Sequence, residues 1–331
     1  MTPKRPGYRR LGLLAGVMAI AAALAGPAVA DDAMLRTLAG VFMFGGLASA
    51  WNIIGGFTGY ASFGNVVFFG LGGYTVAVLM VHARWSFWLA LPVAVLAGAA
   101  YAALVGLPVL RLRGHYFAIA TLGVAEGTRE VVLNLPKLTG GGAGISLPVL
   151  GHEAITPSPG NAGFYYLFLA AMFVAVAVAF AVSRSRFGYA LAAIHDDEQG
   201  AAATGINTTR AKLVAFALSG GLTSLIGALF AFQQVAIYPE RLFSVEITVL
   251  MVAMAVIGGL GTVVGPVIGA VGLQLLAEYL RQRYLGLHLI VFGSLVIAVV
   301  VLVPEGLVSS LSQAWRERRL GLLDTIRRYR V

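Results

Sequence analysis

The sequence predicts an all-α integral membrane protein, a polytopic bundle of about 8–10 transmembrane helices with broken or re-entrant glycine-rich segments. Three observations predict it. Of 331 residues, 59% are hydrophobic and 11% charged, against about 45–50% and about 25% in an ordinary globular domain. The apolar residues gather in continuous runs of about 20, the length that crosses about 30 Å of hydrocarbon. Short alternating strands, the mark of a membrane barrel, do not occur. So apolar a chain excludes intrinsic disorder, and the absence of cysteine excludes disulfides, thiol catalysis and Cys-ligated metals.

In order, the runs are 11–30, 35–56, 62–82, 87–110, 115–135, 164–183, 213–236, 244–258, 263–280 and 285–303. The eighth is short, and the fifth is interrupted by Glu126, Arg129 and Glu130. The first has a rival reading. Residues 1–10 are basic, and Ala28-Val29-Ala30 precedes Asp31-Asp32, so 11–30 is either an anchor span or a signal peptide with its cleavage site. The net charge of +9 is a topological signal and does not point to nucleic acid. With the N-terminus inside, Lys4, Arg5, Arg9, Arg10, Arg111, Arg113, Arg184, Arg186, Arg210, Lys212 and the arginines of 316–330 all fall on the cytoplasmic side, as the positive-inside rule requires. An even number of spans puts both termini there. Residues 1–331 form a single transmembrane domain with an outer loop at 136–163, a cytoplasmic loop at 184–212 and a cytoplasmic tail at 304–331.

Irregular backbone survives at membrane depth only where it lines a cavity or is buried in protein. Two segments have that character: Gly55-Gly56-Phe57-Thr58-Gly59-Tyr60-Ala61-Ser62-Phe63-Gly64, and Gly258-Gly259-Leu260-Gly261-Thr262-Val263-Val264-Gly265-Pro266. Paired, broken segments in the two halves of a chain are a pointer to a substrate path. Their glycines also serve close helix packing. The outer loop, with Pro136, Pro148, Pro157 and Pro159, is an entry vestibule, a partner contact or a mobile linker. Charges inside the membrane invite a functional reading. Glu126, Arg129 and Glu130 share one helix face, and Arg129 can pair with Glu126, so an ion pair is the alternative to substrate contact. The five histidines show no metal-ligand spacing, and no metal is expected.

Within the cytoplasmic loop, Asp196 followed by Gln199 has the form of an N-cap with its capping-box partner. Gly205 can end the helix in a left-handed conformation. A helix of two turns is unstable alone, so it must dock, on a partner or beneath its own bundle. No G-x-x-x-x-G-K-[ST] phosphate loop exists, so any ATP is bound by another polypeptide, and no cofactor is expected on this chain. No nucleophile–base or paired-carboxylate constellation suggests an enzyme.

Several stretches together resemble the permease subunit of bacterial branched-chain amino-acid ABC importers, over about residues 35–310. They are Gly59-Tyr60-Ala61-Ser62-Phe63-Gly64 with Phe68-Phe69-Gly70-Leu71-Gly72-Gly73-Tyr74-Thr75; Tyr116-Phe117-Ala118-Ile119-Ala120-Thr121-Leu122-Gly123; Leu138-Thr139-Gly140-Gly141; Gly205-Ile206-Asn207 with Lys212-Leu213; and Gly258-Gly259-Leu260-Gly261-Thr262 with Gly265-Pro266. The resemblance implies a second related permease, two ABC ATPase subunits, a periplasmic substrate-binding protein and the bacterial inner membrane. It makes Ala201-Ala202-Ala203-Thr204-Gly205 a coupling motif seated on the ATPase. Asp196, Asp197, Glu198, Ala201, Ala202 and Gly205 are then the coupling residues, and Gly55, Gly59, Ser62, Asn65, Thr139, Gly258 and Gly261 line the substrate pathway. Departures bear on cargo: Asn65 replaces a common His, Gly142-Ala143 replaces Pro-Asn, Ala203 replaces Glu, and Glu305 stands where a polar or basic residue is usual. The alternatives are a related importer for urea, amides or aromatic compounds, or an ion-driven secondary transporter.

Overall fold

The computed structural model describes residues 23–27, 30–149, 154–283 and 293. Among the described residues the helices are α1 (Asp32–Thr58), α2 (Val66–His82), α3 (Phe87–Val109), α4 (Gly114–Leu133), the single turn α5 (Pro136–Thr139), α6 (Gly160–Arg184), α7 (Arg186–Asp196), α8 (Glu198–Ala203), α9 (Thr208–Gln234), the turn α10 (Pro239–Leu242), α11 (Val245–Gly258) and α12 (Gly265–Arg283). One antiparallel pair, β1 (Ile145–Ser146) and β2 (Ala236–Ile237), joins Ile145 to Ile237 and Ser146 to Ala236. Eight predicted spans thus appear as α1, α2, α3, α4, α6, α9, α11 and α12. The runs 11–30 and 285–303, with the choice between anchor and signal peptide, lie largely outside the described residues, as does the tail 304–331.

Among the described residues α1, α3, α6, α9 and the α10–α11 stretch are long and apolar enough to cross a membrane, and α2 is a shorter apolar helix. The charges of Glu126, Arg129 and Glu130 on α4, and of Glu278, Arg281 and Arg283 on α12, set those two helices apart. The protein is a multi-pass, all-helical membrane protein.

Small residues decide which helices become central. α9 packs along α3, α2 and α1, and α1 also meets α6 and α12. Gly72 of α2 and Gly98 of α3 both rest against Ser224 of α9, and Gly227 rests on the Phe69 backbone. Such contacts bring backbones close where lipid supplies no hydrophobic drive between helices. Ser224 itself donates to the Ala94 carbonyl at 2.6 Å. Aromatic stacking completes the core: the Phe87 and Phe232 rings lie 4.0 Å apart and nearly parallel, with Phe164 edge-on to Phe232.

The two ends of the bundle differ. One gathers the α1–α2 break, the turn at 110–113, α7, α8 and the start of α9, all regions that the charge pattern assigns to one side. The other carries α5, β1, β2 and α10. There His82 Nε2 lies 3.0 Å from the Leu138 carbonyl, and the Phe87 amide donates to Thr156 Oγ1 at 2.9 Å. The described part of the loop 136–163 is therefore a folded cover, not a free linker. Ile145, Leu147 and Val149 alternate with Ser146 and Pro148, and Leu147 and Val149 are buried. That period-2 pattern favours an extended strand.

Candidate functional site

The site begins at the end of α1. Gly59, at φ +75°, closes the helix in the left-handed conformation, which glycine adopts without a Cβ penalty. The chain then runs without regular structure to Asn65. α7 packs directly beneath this break, and a Cβ built on Gly59 would sit 3.2 Å from His195 Nδ1. The next residue, Tyr60, turns its ring inward against Phe117, edge-to-face at 5.1 Å.

The Tyr60 hydroxyl links three elements. It donates to Glu198 Oε2 of α8 at 2.6 Å and accepts from Lys212 Nζ of α9 at 2.9 Å. Lys212, 3% exposed, gives its other two protons to Glu198 Oε1 at 2.7 Å and the Leu110 carbonyl at 3.0 Å. All three donors of its ammonium are therefore used, and its charge lies 4.4 Å from the Tyr60 ring centre. Arg113 approaches from the exposed side, its Nε 3.3 Å from Glu198 Oε2. Burial pushes the Glu198 carboxyl upward, but the bonds from Lys212 and Tyr60 and the charges of Lys212 and Arg113 outweigh it and hold the group below the usual carboxylate range. Burial, reinforced by the hydrogen bond and negative charge of Glu198, pushes the Tyr60 phenol up.

This cluster explains how a six-residue helix holds its place. α8 is far too short to persist alone. Its N-cap is Asp197, whose Oδ1 accepts from the Gln199 amide at 3.0 Å, not Asp196 as expected. Asp196 is instead the last residue of α7, and Asp197, at φ −157°, is the single extended residue between the two helices. Beyond α8, Gly205 takes φ +89°. Of the residues expected to couple, Asp196, Asp197, Ala202 and Gly205 are exposed, together with Gln199 and Ala203. Glu198 and Ala201 turn toward the bundle. α8 is therefore two-faced: small and polar outward, and pinned inward by one carboxylate.

The second break meets the first at the same end. Asn52 of α1 donates from Nδ2 to the Thr262 carbonyl at 2.8 Å and accepts from the Gly261 amide at 3.0 Å. A Cβ on Gly56 would strike Asn52 and lie 2.7 Å from the Gly261 nitrogen. Thr262 Oγ1 then accepts from the Gly265 amide at 3.1 Å and starts α12. Two glycine-rich segments about 200 residues apart in sequence are thus joined by one buried amide.

The other pathway candidates fall in several places. Gly55 is buried under the Trp51 ring, and Gly258 is buried against the Gly265 carbonyl. Ser62 and Asn65 are fully buried, whereas Gly59 and Gly261 are exposed. Thr139 lies at the opposite end of α2, its hydroxyl 2.6 Å from the Val132 carbonyl and 2.9 Å from that of Leu135. It borders an apolar groove of about 580 Å³ between α2, α3 and α4. Arg129 sits between Glu126 at 3.1 Å and Glu130 at 3.2 Å, with both carboxylates about half exposed. Asn52 was not singled out from sequence, Arg113 entered only as a cytoplasmic charge, and Tyr60 and Lys212 were named in the resembling stretches without a role of their own. The available signals were a lone amide inside an apolar run and a lysine at the head of another.

Residues 33–300 match the family described as the branched-chain amino acid transport system permease component. The chain is 32% identical over 279 residues to the high-affinity branched-chain amino acid transport system permease protein LivM of Salmonella typhimurium strain LT2, covering 77% of this chain and 65% of that protein. LivM of Escherichia coli K12 is 30% identical over 296 residues, covering 82% and 69%. The autoinducer 2 import system permease protein LsrC of Salmonella paratyphi B is 30% identical over 165 residues, covering 46% and 44%. The chain thus spans about two thirds of the length of the LivM relatives. No solved structure matches it. The glycine breaks, the docked α8 and the eight described spans from the second residue of α1 onward lie within the matched region, and the chain belongs to the branched-chain amino acid transport permease family.

Proposed function

We propose that the chain is one permease of a pair in an ATP-driven importer of the bacterial inner membrane, moving branched-chain and other hydrophobic amino acids inward. Two ATPase subunits work it from the cytoplasmic side, and a periplasmic binding protein delivers the cargo. The observation that carries this reading is α8, a helix too short to stand alone, pinned inward by Glu198 and presenting Gln199, Ala202 and Ala203 outward. A push on its outer face reaches Tyr60 through Glu198 and so enters the first glycine break directly. Gly59, Ser62, Asn65 and Gly261, with Gly55 and Gly258 as close-packing neighbours, are the pathway residues that the breaks contribute. Thr139 belongs to the far mouth. Both termini face the cytoplasm in this reading.

Replacement of Gly205 tests the coupling. At φ +89° a branched side chain is strained by about 1–2 kcal/mol, and it projects into the docking face, where a Cβ meets nothing within 4 Å. Gly205→Val is expected to lower amino-acid uptake at least about tenfold, the factor that 1.4 kcal/mol of weakened docking produces. The ATPase subunits should still co-purify. Gly205→Asn, whose side chain tolerates the left-handed region, should retain most uptake. Normal uptake by the Val variant would exclude α8 as the coupling element.

A further inference from the structure

Away from α8, the first break carries a second arrangement of polar groups. Ser62 and Asn65 in the break, Ser219 and Thr223 on successive turns of α9, and Thr248 on α11 are each 0% exposed. Asn65 Nδ2 donates to Ser219 Oγ at 2.9 Å, and the Val66 amide donates to Thr248 Oγ1 at 3.2 Å. These bonds place the break, α9 and α11 around one seam. Ser62 Oγ, Asn65 Oδ1 and Thr223 Oγ1 have no hydrogen-bond partner.

Such groups are costly. A buried donor or acceptor left unmade destabilises a fold, and native folds satisfy nearly all of them. Ala at 62 or Val at 223 would fill the same space without that penalty. The chain instead keeps three orphaned groups, two in the break and one on α9 a turn beyond Ser219. In the break, Ser62 lies two residues from Tyr60 and accepts at its carbonyl from Trp51 Nε1 at 2.7 Å. The segment tied to α8 through the Tyr60 hydroxyl is therefore the segment that carries Ser62 and Asn65.

We propose that this seam is the polar half of a cargo site, uncovered when residues 61–65 shift against α9. Its ligand is the zwitterionic end of a net-neutral α-amino acid. The hydroxyl and amide oxygens accept from the ammonium, and the hydroxyls and the Asn65 amide donate to the carboxylate. None of the five side chains is ionisable, which suits a ligand whose charges cancel. A cationic or anionic cargo would call for a buried counter-charge. The inference rests on the import reading above and adds to it the place and chemistry of recognition.

The test uses the whole importer, with its partner permease, ATPases and binding protein, in proteoliposomes supplied with radiolabelled leucine. Thr223→Val removes the orphaned hydroxyl at nearly constant shape, and Ser62→Ala removes the other. Each variant is expected to melt at or above the wild-type temperature, while leucine taken up per ATP hydrolysed falls at least about fivefold, the effect of about 1 kcal/mol. Thr223→Ser should recover uptake. The proposal is overturned if both variants keep wild-type uptake per ATP, as expected if the seam only houses water. It is equally overturned if uptake falls only in step with a lowered melting temperature. Failure of the wild-type assembly to couple ATP hydrolysis to leucine uptake would refute the import reading itself, a separate outcome.

Discussion

Glu198→Gln lowers uptake at least about tenfold and loosens α8 from the bundle, with a loss of about 2–4 kcal/mol in local stability. The substitution keeps the shape but removes the charge, leaving Lys212, 3% exposed, buried without a counter-ion. Breaking one side of such a pair costs more than the pair itself contributes, because the remaining charge must be held away from water. Lys212→Met does similar damage from the other side, leaving the Tyr60 hydroxyl and the Leu110 carbonyl without their donor. Arg113→Gln has a small effect, since its side chain is 59% exposed and surface pairs contribute about 0–1 kcal/mol. The decisive comparison is the double variant Glu198→Gln/Lys212→Met. It should be less damaged than the sum of the two singles by about 1–3 kcal/mol, the coupling expected between touching residues. Amide hydrogen exchange across 198–204 measures this, and additive losses would show that the pair is not the anchor of α8. Acid acts in the same direction. Because folding holds the Glu198 carboxyl below its ordinary range, its contribution is complete above that range and disappears as the pH falls through the depressed value.

The second large effect falls at Gly56. A methyl there strikes the Asn52 side chain and crowds the Gly261 nitrogen, so Gly56→Ala dislodges the amide that joins the two breaks. Overpacking of this kind costs about 1–3 kcal/mol, and two partly buried hydrogen bonds worth about 1 kcal/mol each go with it. The expected result is a fall in melting temperature together with loss of uptake. Gly123→Ala is the control. It lies within α4, meets nothing within 4 Å, and should be neutral or stabilising by up to about 1 kcal/mol. Equal effects of the two substitutions would remove the case for a stitched pair of breaks.

Eight of the ten runs, both breaks and the short helix after α7 were legible in the sequence, because each depends on one-dimensional properties: run length, glycine spacing and charge placement. The contacts between them were not. Asn52 is an unremarkable amide until the fold brings residue 262 beside it. Lys212 counted as a cytoplasmic charge and as part of a resembling stretch, and neither reading shows that its ammonium is fully enclosed. Glu198 was expected among the coupling residues, and the fold turns it inward to Lys212 and Tyr60 as the only carboxylate of its six-residue helix. The shift of the N-cap from Asp196 to Asp197 has a similar origin. Two adjacent aspartates offer the same cap chemistry, and because α7 runs on through Asp196, Asp197 is left to cap α8. The strand pair at 145–146 and 236–237 escaped notice because a search for twenty-residue runs passes over a two-residue pairing.

The absence of native cysteine makes one measurement especially direct. Ala203 is exposed on the outer face of α8, so Ala203→Cys introduces a single thiol at the proposed docking surface. A membrane-impermeant maleimide should leave it unlabelled in intact spheroplasts and label it in inverted vesicles, and a short thiol cross-linker should join it to an ATPase subunit. Labelling from the outer face, with no cross-link to an ATPase, would contradict the account.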